Sequence, residues 1–305
     1  MKSVLCIIFA GAFWGIISIF LDNLQKIGFT TFQCVALRIS FATALLLIIV
    51  LIKDRKLLKI RLKDFPIFIG MGLCCLGSSV FYLWDIDIIG SSAVPALLLD
   101  TSPIFVLILS VAFLKEKITS IKVISLFLTI IGVLLVTGVF NTKSAISFAA
   151  VAIGLLSGIS YAVYSIINKN GIEKYDSLTL TFYAFLIASI VYVPFSGVFT
   201  KLDLFSDVKS IAFSLGLGGV STVLPFVLYS VGLKNLPASK VSIFANVELL
   251  VAAIVGAVYF DDKFTFLKIL GFLFVVLSIV LLNVKFHGKK GCAQNYENKT
   301  PSSGV

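Results

Sequence analysis

Three ionisable side chains lie inside segments that are otherwise apolar: Arg38, Asp100 and Glu248. A charge at the centre of a membrane helix costs about 2.5–3.5 kcal/mol on insertion scales, so such a residue is by default a candidate for function. A carboxyl group in a site of low dielectric favours its neutral form and so takes up a proton, or it binds a cation such as an amine. We therefore predict that Asp100 or Glu248 binds a proton or an amine in a central cavity.

A purely structural alternative remains open for the same residues. Asp100 could form an ion pair with Arg38, which lies at a similar depth on another apolar segment. Glu248 could hydrogen-bond to a neighbouring helix, because polar side chains join helices inside a bilayer. Under this alternative the three charges hold helices together and take no direct part in function.

Aromatic residues and prolines provide further candidates. Trp14 and Tyr161 lie in the middle of two apolar segments, and Tyr164 follows Tyr161 on the same helix face. They suit a pocket for an apolar or aromatic group, or they pack helices together. Pro103 and Pro225 lie within apolar segments, where proline kinks a helix and frees a backbone carbonyl. In transporters such breaks expose backbone to a cavity.

A group of aromatic and acidic residues follows near the end of the third apolar segment. Tyr82 and Trp84 are typical of the aromatic belt at a membrane interface, although Tyr82 is also a candidate for the site. Asp85 and Asp87 come directly after them. We expect both carboxylates to lie in water at the outer mouth, where they could attract a cationic substrate.

The elements that position these residues are membrane helices. The chain of 305 residues is 59% hydrophobic and 13% charged, whereas charged residues make up about 25% of a typical soluble domain. A helix needs about 20 apolar residues to cross the hydrocarbon of a bilayer. Ten segments qualify, at 4–21, 31–52, 66–84, 92–113, 120–139, 148–167, 179–198, 208–231, 239–260 and 266–284. The sequence therefore predicts an all-α membrane protein with ten transmembrane helices and the lipid bilayer as its surroundings.

The basic residues predict how these helices are oriented. The net charge is +10, but the Lys and Arg residues form short runs between apolar segments and no patch for nucleic acid. If the amino terminus is cytoplasmic, 18 basic residues fall on the cytoplasmic side and 6 on the outer side, with Arg38 inside a helix. Short cytoplasmic loops carry an excess of Lys and Arg. Both termini are therefore predicted to be cytoplasmic.

Two weak internal matches indicate a repeat. Phe13-Trp14-Gly15 is echoed by Ser160-Tyr161-Ala162, and the segment 115–119 is echoed by 261–265, at offsets of 147 and 146 residues. The offset covers five helices, an odd number, so the second copy should be inverted, as in many secondary transporters. We predict repeats at 1–141 and 142–285 and a disordered cytoplasmic tail at 286–305. At this offset Asp100 falls opposite Asn246, which makes Asn246 a further candidate.

Several of these segments together resemble the EamA family of the drug/metabolite transporter superfamily. They are the tract from Ala93 to Thr119, with Thr101-Ser102-Pro103 and Lys115-Glu116-Lys117-Ile118-Thr119, and the stretch from Leu233 to Ser239, which reads Leu-Lys-Asn-Leu-Pro-Ala-Ser. The likeness covers residues 1–285. It implies an exporter of an amino acid or a related metabolite in a bacterial inner membrane.

Two positions depart from the pattern of that family. Many members have Glu-Pro where this chain has Glu248-Leu249, and a Gly-Glu pair where it has Asp261-Asp262. Without the proline, a break in the ninth helix is not expected from the resemblance.

Other classes of function find little support in the sequence. Four of the five cysteines lie in apolar segments, and the only histidine, His287, lies in the tail. No glycine-rich phosphate-binding loop is present. We therefore expect no metal, no cofactor and no enzymatic activity. An intramembrane enzyme acting on lipids would need clustered acid and base groups, for which only Asp85 and Asp87 qualify.

The function predicted from the sequence is secondary transport of a small molecule by alternating access. The resemblance favours export of an amino acid or similar amphipathic metabolite, with proton coupling as an option. Efflux of lipophilic or cationic drugs is the alternative. The sequence does not decide whether the protein forms a homodimer.

Overall fold

A computed structural model describes residues 2–89, 93–137, 147–261 and 265–283 of the chain. The apolar helices are α1 (Lys2–Ile27), α2 (Thr31–Lys53), α3 (Leu62–Ile89), α4 (Val94–Leu114), α5 (Ser120–Thr137), α6 (Phe148–Gly171), α7 (Ser177–Phe195), α8 (Val208–Asn235), α9 (Ala238–Tyr259) and α10 (Phe266–Leu282). The predicted tail at 286–305 and the turn residues Asp262 and Lys263 lie outside the described residues.

The prediction of an all-α membrane protein is confirmed. Within the described residues, helices α1 to α9 are long and apolar enough to cross a membrane, and α10 is shorter. Large apolar side chains are exposed on the outside of the bundle, among them Ile52, Phe113, Phe195 and Val258. A soluble protein does not expose apolar surface on this scale, so these side chains face lipid.

Close helix packing depends on small residues. A Cβ atom at Gly15 of α1 would lie 2.6 Å from Cβ of Val251 and 2.7 Å from the carbonyl oxygen of Glu248, both on α9. At the contact of α5 with α10, a Cβ atom at Gly132 would lie 2.9 Å from the carbonyl oxygen of Gly271. Only glycine allows such approach of two backbones, as is common between membrane helices.

Hydroxyl groups bridge helices in the interior. Oγ1 of Thr43 on α2 lies 2.9 Å from Oγ of Ser189 on α7. Oγ1 of Thr129 on α5 lies 2.7 Å from Oγ of Ser278 on α10. Each such bond between membrane helices contributes about 0.6 kcal/mol, so the bonds supplement the packing.

Candidate functional site

Three of the long helices are interrupted near the centre of the bundle. The first, α1, changes direction at Ile16 (φ −88°, ψ 0°). The fourth consists of Ala93–Leu99 and Ser102–Leu114, with Asp100 and Thr101 between the two parts. The ninth consists of Ala238–Ala245 and Val247–Tyr259, joined at Asn246 (φ −65°, ψ 0°). Discontinuous helices of this kind form the binding sites of secondary transporters.

The break in α9 was not expected from the resemblance, because the chain lacks a proline there. Asn246 instead makes a tighter turn: its N–H donates to the carbonyl of Ile243, and its own carbonyl accepts from the N–H of Leu249, both three residues away. Asparagine tolerates such a turn because its side chain competes for backbone hydrogen bonds. The side-chain Nδ2 of Asn246 is buried without a partner. Asn246 lies at the break of α9, as Asp100 lies at the break of α4.

Pro103 and Pro225 both occupy the first turn of a helical segment. Pro103 is the second residue of the Ser102–Leu114 half of α4, which follows the break at Thr101. Pro225 is the second residue of the last segment of α8, Leu224–Asn235, which follows a π-helix at Gly216–Val223. Proline lacks an N–H donor and suits this position, so each marks a change in helix geometry beside the centre of the bundle.

The three charged residues converge on this central region. Arg38, Asp100 and Glu248 are each half-buried. Glu248 lies within electrostatic range of both Arg38 and Asp100. Among the described residues, no ion pair within 4.0 Å and no hydrogen bond involves the carboxylate of Asp100 or Glu248. The ion pair between Asp100 and Arg38 that the sequence left open is therefore absent from this structure.

Arg38 is held by α8 and not by an acid. Its Nε donates to Oγ1 of Thr222 over 2.9 Å, and its guanidinium lies 5.8 Å from the ring centroid of Phe226. A cation over an aromatic face within about 6 Å is stabilised by the ring. The end of the guanidinium group is thus left free of the two carboxylates.

The aromatic candidates divide into two groups. Tyr82 and Tyr161 are half-buried, and both lie within electrostatic range of Glu248, so they line the central region. Trp14 and Tyr164 are 4% and 1% exposed and pack behind Tyr161, each with its ring centroid 6.3 Å from that of Tyr161. Trp14 and Tyr164 therefore support the wall of the site, while Tyr82 and Tyr161 form part of it.

The placement of Asp85 differs from expectation. Asp85 is 0% exposed, and both carboxylate oxygens are buried without a partner. The reason is close packing: a Cβ atom at Gly154 of α6 would lie 2.5 Å from Oδ2 of Asp85 and 2.4 Å from Leu98. The expectation that Asp85 lies in water is wrong, whereas Asp87 is exposed.

A second polar cluster joins α4 to α9 at one end of the bundle. The carboxylate of Glu116, just after α4, accepts hydrogen bonds from Oγ of Ser239, from the backbone N–H of Ala238 (2.6 Å) and from Nζ of Lys122 (2.9 Å). We call these four residues the Glu116 latch. Ala238 and Ser239 begin α9, where a carboxylate satisfies free N–H groups.

The latch is stable across neutral pH. Burial acts to raise the pKa of Glu116, but hydrogen bonds from Ser239 and Lys122 outweigh it and hold the pKa below its ordinary value. A depressed carboxyl pKa stabilises the folded state above the ordinary pKa, and this stabilisation is lost only as pH falls through the lower value. The latch is therefore ionised at the pH of a cell.

The latch borders a cavity of about 500 Å³ lined by the ends of α4, α6 and α8, including Lys115, Lys169 and Lys234. Nζ of Lys169 donates to the carbonyls of Leu233 and Leu236 at the end of α8. These bonds and the latch hold the helix ends together on the side that the basic residues predict to be cytoplasmic.

Comparison with known proteins agrees with this architecture. The EamA-like transporter family matches residues 1–138 and again residues 148–284. The chain belongs to the EamA family. An uncharacterized transporter of Archaeoglobus fulgidus is 27% identical over 285 residues, which cover 92% of this chain and 99% of that protein. The uncharacterized transporter YoaV of Bacillus subtilis is 24% identical over 82% of this chain and 86% of YoaV.

A crystal structure of a protein 12% identical to this EamA chain shares its fold, with a TM-score of 0.78 over 92% of this chain and 96% of that one. The relatives named above are transporters, and this EamA protein is a multi-pass membrane transporter. Within the described ranges, no group of three or more His, Cys, Asp or Glu side chains could hold a metal ion.

The sequence did not point to several residues of the candidate site in this EamA protein. Nothing in the sequence except the nearby Pro225 marked Thr222 and Phe226 as site residues, because hydroxyl and aromatic residues are frequent in the helices of the chain. The acceptor role of Glu116 was also missed, although Ala238 and Ser239 follow Pro237 at the start of a helix, where free N–H groups are expected.

Proposed function

We propose that this EamA protein is a secondary transporter that exports an amino acid or a related small metabolite across the inner membrane by alternating access, in exchange for protons. The observation that carries the proposal is the convergence of Arg38, Asp100 and Glu248 beside interrupted helices. A guanidinium group binds the carboxylate of such a substrate, and a carboxylate binds its amine. The remaining carboxyl group is available to a proton.

Alternating access by two inverted halves is part of the proposal. Two contacts support it, because each joins residues that are one repeat apart: Trp14 with Tyr161, and Thr43 with Ser189. Contacts between equivalent residues are expected next to a pseudo-two-fold axis in the membrane plane. We further propose that both termini are cytoplasmic, as the distribution of basic residues predicts.

Metabolite profiling tests the proposal. Cells with and without the protein are compared for compounds inside and in the medium. We expect at least one amino compound to be depleted inside and enriched outside, chemically unchanged. If no compound changes compartment, or if one is instead converted chemically, the proposal is wrong.

Efflux of lipophilic cations remains a second candidate. The candidate site would also suit a cation that carries no carboxylate. It has two carboxylates against one guanidinium, and the rings of Tyr82 and Tyr161 can stabilise a cation. A panel of fluorescent lipophilic cations, loaded into the same two strains, distinguishes the candidates. Faster loss of these dyes without any change in amino compounds would favour drug efflux.

The Glu116 latch provides a prediction about access to the site. Glu116→Gln removes the charge that holds Lys122, which is 5% exposed, and weakens the link between α4 and α9. A hydrogen bond to a charged group contributes about 1.5–3 kcal/mol, so we expect the cytoplasmic side to open at least about tenfold more often. The measurement is the rate at which an impermeant thiol reagent modifies Cys75 from that side.

Cys75 suits this measurement for two reasons. It is 6% exposed, so the reagent reaches it only when the protein opens, and it lies within electrostatic range of Arg38, so its modification reports access to the central region. The other cysteines, Cys6, Cys34, Cys74 and Cys292, are first replaced by serine. The matched control is Glu173→Gln, which changes an exposed glutamate that lines the same cavity. Equal modification rates in the two variants would show that Glu116 does not close the site.

A further inference from the structure

A π-helix in α8 determines where Arg38 points. Residues Gly216–Val223 form this helix, a rare element that often occurs at functional sites. Within it, the hydroxyl of Thr222 donates to the carbonyl of Leu217, five residues earlier, over 2.7 Å. Because a hydroxyl has one hydrogen and two lone pairs, the same oxygen remains free to accept from Nε of Arg38.

Glycine brings the π-helix against α2. A Cβ atom at Gly218 would lie 2.6 Å from Cβ of Phe41 and 2.9 Å from the backbone nitrogen of Ala42. Gly218 precedes Thr222 by four residues, and Arg38 precedes Phe41 by three, so both pairs are neighbours on their helices. The close approach at Gly218 therefore places Thr222 within reach of Arg38.

The hydrogen bond to Thr222 selects which part of the guanidinium group is left free. A guanidinium group carries five N–H donors in a planar fork. With Nε engaged by Thr222, the pair of terminal nitrogens remains for a planar acceptor such as a carboxylate. Phe226 beneath the group restricts its rotation, so the fork is oriented before a substrate arrives.

We propose that Thr222 is a positioning residue that presents the terminal nitrogens of Arg38 to the carboxylate group of the transported compound. This inference rests on the proposed function and names its recognition chemistry: a substrate with a carboxylate that Arg38 binds end-on. The alternative is a structural role, in which Thr222 only joins α2 to α8 and Arg38 only balances the charge of Glu248.

The test compares substrates that differ only in the carboxylate. Binding of the common L-amino acids to the purified full-length protein is measured by competition, and each amino acid that binds is paired with the amine formed from it by decarboxylation. For Thr222→Val, we expect the Kd of the amino acid to rise about tenfold, as for loss of one hydrogen bond to a charged group. The Kd of the amine should not change.

Two further variants make the result decisive. Thr222→Ser keeps the hydroxyl and should bind both compounds as the wild type does. Arg38→Lys keeps the charge but loses the fork, and it should weaken binding of the amino acid more than binding of the amine. If Thr222→Val fails to fold, Arg38→Lys still tests whether the carboxylate is recognised.

Each outcome separates the two proposals. If the wild type binds no amino acid, export of an amino acid is wrong, and the inference fails with it. If the wild type binds amino acids but Thr222→Val and Arg38→Lys weaken amino acid and amine equally, or weaken neither, transport stands and the positioning role of Thr222 is wrong.

Discussion

Glu248→Gln is expected to abolish transport driven by a pH gradient in proteoliposomes while leaving downhill exchange of the substrate in place. Glutamine has the shape and hydrogen-bonding capacity of a protonated glutamate but does not bind or release a proton. Asp100→Asn should have the same effect if Asp100 is the coupling group. The substrate is the compound that metabolite profiling identifies, and the measurement is its initial rate of transport with and without the gradient.

Under the proposed function the effect should be large, because these carboxylates would bind the proton or the substrate in a site of low dielectric. If one of them binds the amine directly, its loss also weakens substrate binding by about ten- to a hundredfold, since a hydrogen bond to a charged group contributes about 1.5–3 kcal/mol. Asp87→Asn is the matched control, because Asp87 is an exposed carboxylate on α3. Unchanged gradient-driven rates in both Glu248→Gln and Asp100→Asn would rule out proton coupling through these residues.

The second large effect is expected for Gly15→Ala. The added methyl group would lie 2.7 Å from the carbonyl oxygen of Glu248, and a backbone atom does not move aside as a flexible side chain does. Overpacking of this kind costs about 1–3 kcal/mol. We expect a lower midpoint of thermal unfolding in detergent and slower transport, because α1 is pushed away from the part of α9 that carries Glu248.

Gly77→Ala is the control for this substitution. A Cβ atom at Gly77 of α3 would meet nothing closer than Oγ of Ser160 at 3.3 Å. Alanine is favoured over glycine in a helix by about 1 kcal/mol, so this variant should be as stable as the wild type or more stable. If both variants have the same midpoint, close contact between α1 and α9 does not limit stability.

The sequence was sufficient to identify the membrane helices and the charged candidates. Each helix needs about 20 apolar residues, and this requirement is local, so it is readable from composition alone. A charge such as Glu248 is conspicuous against an apolar background for the same reason. The repeat offset also predicts, without coordinates, that Asp100 corresponds to Asn246.

The environment of each candidate was not readable in this way. Asp85 looks like a surface residue in the sequence, yet it is buried because Gly154 of α6 allows its helix to approach. From the sequence alone, Arg38 could form an ion pair with any of the acidic residues. In the structure it donates to the hydroxyl of Thr222 instead, because a π-helix turns that hydroxyl inward. Both results depend on contacts between residues that are distant along the chain.

The sequence by itself determined the class of protein, the positions of its membrane helices and the presence of Arg38, Asp100 and Glu248 within them, because lipid imposes local rules on composition. Only the tertiary structure decided that these charges meet without pairing, that α9 breaks at Asn246 without a proline, and that Glu116 joins α4 to α9. The physical reason is that hydrogen bonds and close contacts between helices depend on how distant segments pack, and no local pattern encodes that geometry.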